Sequence, residues 1–162
     1  MEKKANNEDK IMWKVMIVDD EKLICKLVQA LVEWDKLGMQ MAAQAENAIQ
    51  ALDMLQQYRP DILITDIRMP GMDGLELIKN AKKICPELEI IIISGYAHFE
   101  YARNALSLGV GNYLLKPIKQ DELNETLRKI GERLDAKKSA QGMEMAERRV
   151  SESDVNRLRY AL

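Results

Sequence analysis

The sequence contains only two cysteines, Cys25 and Cys85, and they stand far apart among its 162 residues. Two separated thiols cannot build a disulfide scaffold, and they lack the close spacing of a zinc site. We therefore expect both to be reduced thiols in a cytoplasmic protein. The single histidine, His98, is expected to be a surface or capping residue rather than a phosphoacceptor.

An excess of charge of one sign and long apolar runs are also missing. The 24 Lys and Arg residues nearly balance the 26 Asp and Glu residues, so bulk charge does not favour nucleic acid or an anionic membrane as a partner. The apolar run Ile90–Ile93 is far shorter than the about 20 residues of a membrane span. The first ten residues are polar and do not resemble a signal peptide. The length predicts one globular domain with some additional helix.

Short apolar runs alternate with amphipathic segments between residues 12 and 134. Three runs are rich in β-branched residues and lack polar alternation, as expected for central parallel strands covered on both faces. They are Val15–Val18, Ile62–Thr65 and Ile90–Ile93. Two weaker runs, Met39–Ala45 and Asn112–Leu115, include polar residues, and we expect them nearer the edges of the sheet.

Five amphipathic helices are predicted between and after these strands, because apolar residues recur with helical spacing. Their apolar positions lie within Ile24–Leu31, Ala48–Leu55, Leu77–Ala81, Ala102–Leu106 and Leu123–Leu134. Asn47 is expected to cap the second helix. Alternating strands and helices predict an α/β fold, a doubly wound five-stranded parallel sheet flanked by five helices.

Polar side chains follow four of the five strands. They belong to Asp19, Asp20, Asp66, Ser94 and Lys116. In doubly wound folds ligands bind beyond the carboxyl ends of the strands, so we expect these groups to converge at one edge. Crowded carboxylates favour a bound cation, and a set of oxygen ligands without His or Cys favours Mg²⁺. A lysine ammonium and a serine hydroxyl can then bind a phosphoryl group.

The same residues carry a resemblance to a known family. The matching segments are Asp19–Glu21, Thr65–Gly74, Ser94–Tyr96 and Leu115–Pro117. From about Trp13 to Leu134 the chain resembles the receiver domain of bacterial two-component response regulators. The resemblance implies the flavodoxin-like receiver fold. It also implies a signalling switch, rather than an enzyme, that assists its own phosphorylation and dephosphorylation.

The resemblance implies a role for each matching side chain. Asp66 would accept a phosphoryl group from the phosphohistidine of a sensor histidine kinase. Lys116 would pair with a phosphoryl oxygen, and Ser94 would move inward to bind another. The ring of Tyr113 would then turn inward as the second part of the switch. Phosphorylation would promote homodimerisation through the face that contains the helix around Ala102–Leu106 and the last strand.

The resemblance also implies the ligands of the Mg²⁺ ion. Asp20 would bind it directly, Asp19 directly or through water, and the backbone carbonyl of Arg68 would complete the set with Asp66. Arg68 and Tyr96 would border the phosphoryl group and obstruct an attacking water, so we expect slow self-dephosphorylation.

Two methionines in the loop after Asp66, Met69 and Met72, are candidates for contact with the kinase.

The last 28 positions of the chain, residues 135–162, differ in character from the rest. Apolar residues at i, i+3 and i+7 predict two short amphipathic helices, and Ser151 with Asp154 resembles a capping box at the second. The tail is interpreted either as a solvated helical linker or as a helix that pairs with a second chain. The expected organisation is a polar leader over 1–12, a receiver domain over 13–134 and the tail.

The segments Asp66–Pro70, Ser94–Tyr96 and Phe99–Ala102 are most similar to regulators whose output is an AraC-type DNA-binding domain. The receiver would control such a transcriptional output, which is absent from this chain.

Three other functions use parts of the same pattern. A Mg²⁺-dependent phosphohydrolase with an aspartyl nucleophile needs the same carboxylates, but it generally has a second acid where this chain has Arg68. A flavin-binding fold of this topology lacks its phosphate-binding loop after the first strand. An interaction module without phosphorylation does not require Ser94 and Lys116 beside the acidic cluster.

Overall fold

A five-stranded, entirely parallel sheet forms the centre of the protein, with strand order β2-β1-β3-β4-β5. The strands are β1 (Trp13–Val18), β2 (Met39–Ala45), β3 (Ile62–Asp66), β4 (Glu89–Ser94) and β5 (Asn112–Leu115). The structure is a computed structural model that describes the backbone of residues 11–95 and 99–160, and the side chains of residues 11–95 and 103–145.

The described helices follow the strands in regular alternation. They are α1 (Lys22–Leu31), α2 (Trp34–Leu37), α3 (Ala48–Tyr58), α4 (Gly74–Ile84), α5 (Phe99–Ser107) and α6 (Gln120–Tyr160). The strand order reverses between β2 and β3, so right-handed crossovers place α1 on one face of the sheet and α3, α4 and α5 on the other. The predicted doubly wound α/β fold is therefore confirmed.

Each predicted strand is present, and its place in the sheet matches its sequence pattern. The β-branched runs form β1, β3 and β4 in the centre, where both faces are covered. The runs with polar residues form β2 and β5 at the two edges, as expected. The burial follows the pattern, since all five residues of β3 are buried while three of the four residues of β5 are not.

One hydrophobic core cluster lies between the sheet and the helices α3, α4 and α5. Its buried members include Met16 and Leu63 from the sheet, Leu55 from α3 and Leu77 from α4. On the opposite side Asn124 of α6 donates a hydrogen bond of 2.8 Å to the carbonyl oxygen at Leu31, the last residue of α1. The sheet is thus enclosed by helices on both faces.

Short polar side chains cap the N-termini of α3 and α4. Asn47 Oδ1 accepts a hydrogen bond of 2.8 Å from the amide of Gln50, which confirms the predicted cap of α3. Asp73 Oδ1 accepts one of 2.9 Å from the amide of Glu76 at the start of α4. These caps fix where the chain re-enters a helix after β2 and after the loop that follows β3.

The single-turn helix α2 was not predicted. It covers four residues and ends at Gly38, whose φ of +64° places it in the left-handed region that favours glycine. The amide of Trp13 then donates a hydrogen bond of 3.0 Å to the Gly38 carbonyl oxygen, so the turn leads directly into the pairing of β2 with β1.

The prediction of two short helices in the tail was wrong. Helix α6 runs without interruption for 41 residues, and Ser151 lies inside it instead of capping a new helix. Residues 135–149 contain no proline and many strong helix formers, so nothing ends the helix before Ser151. Although α6 is long, no helix in the described part of the chain is apolar enough over sufficient length to cross a membrane.

The chain divides into two compact units, Met1–Leu127 and Arg128–Leu162. In the second unit, residues 135–145 are all exposed. The expected domain limits at residues 12 and 134 stay predictions.

Candidate functional site

Four polar side chains lie at the carboxyl edge of the sheet, because parallel strands end on the same side. Asp19 follows β1 directly, Asp66 is the last residue of β3, Ser94 is the last residue of β4, and Lys116 follows β5. The side chains of the first three residues are buried. The Lys116 side chain is partly exposed, and its ammonium group reaches into the site. The predicted convergence of these strand ends is therefore present in the fold.

The ammonium group of Lys116 lies between two carboxylates. Its Nζ is 3.2 Å from Asp66 Oδ2 and 3.5 Å from Asp19 Oδ2. Burial by itself would lower the pKa of Lys116, but the charges of Asp19 and Asp66 outweigh it and the pKa is raised. The backbone amide of Lys116 donates a hydrogen bond of 2.7 Å to the Ser94 carbonyl oxygen, which anchors the lysine to the end of β4. Lys116 is therefore held as a cation.

The carboxyl group of Asp19 is almost completely removed from solvent. Burial raises its pKa to about 6, and repulsion by Asp66 and Asp20 acts in the same direction. Lys116 and the amide of Glu21, which donates a hydrogen bond of 2.9 Å to Asp19 Oδ1, lower the pKa without cancelling this effect. The ionised form of Asp19 is thus destabilised by its surroundings, as expected where a cation is needed.

The two carboxylate oxygens of Asp66 have different partners. Oδ1 accepts hydrogen bonds from the backbone amides of Ile67, at 2.7 Å, and Arg68, at 3.3 Å. Oδ2 faces Lys116. Because the loop after β3 holds one oxygen and the lysine holds the other, the orientation of the carboxylate is fixed.

Three carboxylates could hold a metal ion at this edge. Asp19, Asp20 and Asp66 each offer an oxygen, and these oxygens lie within 4.8 Å of one another. Lys116 pairs with two of these carboxylates, Asp19 and Asp66, so within the described side chains the three carboxylates outnumber the cation that contacts them. An all-oxygen set with one exposed member, Asp20, suits a hard cation that keeps part of its water shell, and this describes Mg²⁺. The part assigned to the Arg68 carbonyl stays a prediction.

The residues predicted to switch lie on the two strands beside this cluster. Ser94 is buried at the end of β4, and Tyr113 is half-buried on β5, where its ring packs against the core cluster. Their movements stay predictions. Tyr96 and His98 lie outside the described residues.

Met69 is not available for contact with a kinase. Its side chain is buried in the core cluster, which also contains Leu77 and Ile78 of α4. Met72 is half-buried and packs against the same cluster. The sequence places both methionines correctly in the loop but does not show that the loop turns their side chains inward.

Backbone groups complete the site, and no sequence pattern predicts them. The amides of Glu21, Ile67 and Arg68 orient the carboxylates, and the Cys25 thiol donates to the Asp19 carbonyl oxygen at 3.7 Å. Burial, followed by the charge of Asp19, raises the pKa of Cys25 to about 11, which disfavours the thiolate form of this side chain.

With this geometry in place, comparison with known proteins identifies the family. Residues 15–128 match the model of the response regulator receiver domain. The chain belongs to this family of response regulator receiver domains, as its sequence motifs indicated.

Curated relatives from bacteria are similar over the same region. The uncharacterized transcriptional regulatory protein YesN of Bacillus subtilis (strain 168) is 40% identical over 119 residues, which cover 74% of this chain and 32% of YesN. The transcriptional regulatory protein HptR of Staphylococcus aureus (strain NCTC 8325 / PS 47) is 32% identical over 135 residues, which cover 83% of this chain and 53% of HptR. The chain thus spans about a third to a half of the length of these relatives.

Solved structures share the fold. The receiver domain of AraT, a response regulator from Geobacillus stearothermophilus, is 38% identical with a TM-score of 0.74, covering 78% of this chain and 98% of that one. A two-component transcriptional regulator AraC from Clostridium phytofermentans ISDg is 35% identical with a TM-score of 0.68, covering 73% of this chain and 92% of that one.

Proposed function

We propose that Asp66 accepts a phosphoryl group from the phosphohistidine of a sensor histidine kinase, and that the chain is the signal-receiving part of a two-component transcriptional regulator. The observation that carries the proposal is the Asp66 carboxylate, held by two backbone amides, beside Lys116 and within the cluster of acidic oxygens. Family membership supports the same reading of these residues.

The transfer is a single displacement at phosphorus. A carboxylate oxygen of Asp66 forms a bond to phosphorus while the bond between phosphorus and the histidine nitrogen breaks. The imidazole leaves with the electron pair, and Asp66 becomes an acyl phosphate. Lys116 Nζ lies 3.2 Å from Asp66 Oδ2, beside the place where the phosphoryl group would attach. A small movement of the ammonium group away from the carboxylates would let it neutralise a phosphoryl oxygen.

Asp19, Asp20 and Asp66 are the side chains that would hold Mg²⁺, with the backbone carbonyl of Arg68 as a further ligand. The bound ion supplies charge neutralisation for the transferring phosphoryl group. Burial, followed by repulsion from Asp66 and Asp20, raises the pKa of Asp19, so a cation held by these three carboxylates would favour the ionised form of Asp19.

Phosphorylation replaces the single negative charge of the Asp66 carboxylate with a phosphoryl group of about −1.5 to −2, at a site that is already acidic, so the neighbouring cation and hydroxyl must rearrange. Ser94 would move toward the phosphoryl group, and the ring of Tyr113, which is already half-buried against the core cluster, would turn further inward. Ser94 ends β4 and Tyr113 lies on β5, the strands that precede and follow α5 along the chain, so the switch would alter the face formed by α5 and β5. This change would promote homodimerisation.

The similar proteins support a transcriptional output of the AraC type, joined to the receiver through the tail at residues 135–162. The receiver would then extend over residues 13–134 and act in the cytoplasm, where ATP phosphorylates the kinase. DNA would be bound by the output domain and not by this chain.

The test is phosphorylation of the purified chain by a small phosphodonor such as acetyl phosphate, with and without Mg²⁺. We expect the mass of one phosphoryl group, dependent on Mg²⁺ and removed by hydroxylamine, which cleaves acyl phosphates. Asp66→Ala should abolish the gain in mass. Asp53→Ala is the matched control, because Asp53 is an exposed aspartate on α3 outside the site.

Two results would contradict the proposal. An unchanged mass of the wild type under all conditions would exclude Asp66 as a phosphoacceptor. Continued hydrolysis of phosphate esters over many turnovers would instead indicate the aspartyl-nucleophile phosphohydrolase.

A further inference from the structure

Helix α4 begins unusually close to the backbone of the proposed phosphoacceptor. Its first residue, Gly74, is buried, and a Cβ atom built there would lie 2.8 Å from the Ile67 Cα and 3.2 Å from the Asp66 carbonyl carbon. It would lie closer still to the Asp66 carbonyl oxygen. These neighbours are backbone atoms and cannot rotate away. Only a residue without a side chain fits between α4 and the Asp66–Ile67 peptide.

The close approach is accompanied by hydrogen bonds that close the loop. The Gly74 amide donates to the Ile67 carbonyl oxygen at 2.8 Å, which joins the start of α4 to the residue after Asp66. The Thr65 hydroxyl donates to the Asp66 carbonyl oxygen at 2.9 Å. The Thr65 hydroxyl therefore holds the Asp66–Ile67 peptide, and the Gly74 amide holds the Ile67–Arg68 peptide that follows it.

This peptide determines the position of the phosphoacceptor carboxylate. The Ile67 amide belongs to the Asp66–Ile67 peptide, and it donates the 2.7 Å hydrogen bond to Asp66 Oδ1. The Arg68 amide, one peptide further, makes the second bond to the same oxygen. A shift of this backbone would therefore move the carboxylate relative to Lys116 and the other acidic oxygens.

We propose that Gly74, together with Thr65, is a positioning residue for the phosphoacceptor Asp66, because it lets α4 pack directly on the Asp66–Ile67 peptide. The inference rests on the proposed function and deepens it. Gly74 thus has a role in metal binding and phosphoryl transfer, in addition to its place at the start of α4. Misplacement of a reacting group by about 1 Å can reduce a rate by about a hundredfold.

The test compares Gly74→Ala with the wild type by three measurements on folded protein. Calorimetry gives the Mg²⁺ dissociation constant, acetyl phosphate gives the phosphorylation rate at saturating Mg²⁺, and ¹H–¹⁵N spectra give the amide shifts of Ile67 and Arg68. We expect Mg²⁺ affinity to fall about tenfold and the rate about tenfold to a hundredfold. Both amide signals should move, because their bonds to Asp66 Oδ1 lengthen.

Ala81→Gly is the matched control. Ala81 is buried on the same helix but outside the site, so this change weakens α4 without touching the Asp66–Ile67 peptide. It should leave the Mg²⁺ affinity, the rate per folded molecule and the two amide signals unchanged. If Gly74→Ala behaves like Ala81→Gly, its effect is on folding alone and the proposal is overturned.

A second variant decides the matter if Gly74→Ala does not fold. Thr65→Val keeps the shape of the side chain but removes the hydrogen bond to the Asp66 carbonyl oxygen. We expect Mg²⁺ affinity and the phosphorylation rate to fall, and the two amide signals to move, by less than in Gly74→Ala. Unchanged affinity, rate and amide shifts would overturn the proposal. If the wild type itself is not phosphorylated, the proposed function fails, whereas the Mg²⁺ and amide measurements still test the positioning role.

Discussion

The ammonium nitrogen of Lys116 lies 3.2 Å from Oδ2 of Asp66, although 50 positions of sequence separate the two residues. The contact exists because β3 and β5 are parallel and end at the same edge, with β4 between them. It leaves Lys116 as the positive side chain that faces the two buried carboxylates in the described cluster. The consequences of removing either charge can be measured.

We predict that Lys116→Met lowers the rate of phosphorylation by acetyl phosphate about tenfold or more, because charge developing on the phosphoryl oxygens loses its cation. The rate is measured at saturating Mg²⁺ by mass spectrometry. Lys119→Met is the control, since Lys119 is exposed and its loss changes the net charge equally. An equal loss of rate in both variants would show that only net charge matters.

We predict that Asp19→Asn stabilises the metal-free protein at pH 8. Burial raises the pKa of Asp19 in the folded state to about 6 from its ordinary value of 3.8, so between these pH values the folded state keeps a proton that the unfolded state loses. The contribution of Asp19 to stability therefore falls as pH rises through this window, by about 3 kcal/mol at most. Asparagine does not ionise, so the free energy of unfolding of Asp19→Asn should exceed that of the wild type by an amount that grows between pH 4 and pH 6. Above pH 6 this difference should be constant.

Urea unfolding in EDTA from pH 4 to pH 8 measures this effect. Asp53→Asn removes one exposed carboxylate from α3 and should show no comparable rise with pH. A stability difference between wild type and Asp19→Asn that does not vary with pH would contradict the assigned cause.

We predict that Mg²⁺ stabilises the wild type and that Asp20→Asn weakens this effect. A ligand at about 100 times its dissociation constant stabilises the folded state by about 2.7 kcal/mol. Asp20 is the exposed member of the acidic cluster, so its loss should raise the Mg²⁺ concentration needed without removing a core contact. Thermal unfolding over a Mg²⁺ series measures the shift, and identical curves for wild type and variant would exclude Asp20 as a ligand.

The sequence predicts most of this fold because the burial of each element leaves a pattern. Ile62–Asp66 is buried along its whole length, and the apolar residues Ile62–Ile64 at its start indicate this directly. Helix α2 has only four residues, too few for helical periodicity, and Gly38 was its one signal. The capping box at Ser151 wrongly predicted the start of a new helix, because a cap requires that the residues before it are not helical, and here they belong to α6.

The site is predictable only where side chains at strand ends create it. Asp66 and Lys116 follow from topology, since parallel strands deliver their last residues to one edge. The amide hydrogen bonds to Asp66 and the approach of Gly74 depend on the path of the loop over residues 67–73, and local sequence patterns do not encode that path. The inward direction of Met69 has the same origin.

We predict that full phosphorylation doubles the molar mass and that Leu106→Lys with Leu115→Lys prevents this. Leu106 on α5 is 66% exposed and Leu115 on β5 is 46% exposed, so both offer apolar surface on the proposed dimer face. Light scattering measures the mass. Ile49→Lys, at a 69% exposed position on α3, is the control and should still dimerise. An unchanged mass of the fully phosphorylated wild type would exclude phosphorylation-promoted dimers.

We predict that the acyl phosphate on Asp66 persists for minutes, and that Arg68→Ala combined with Tyr96→Ala shortens its lifetime severalfold. Arg68 is exposed two residues after Asp66, where its side chain can obstruct a water that attacks phosphorus. The decay is followed by mass after removal of the phosphodonor under native conditions. Arg133→Ala, which removes an exposed arginine from α6, is the control and should decay like the wild type. Loss of the wild-type acyl phosphate within seconds would show that these side chains do not shield it.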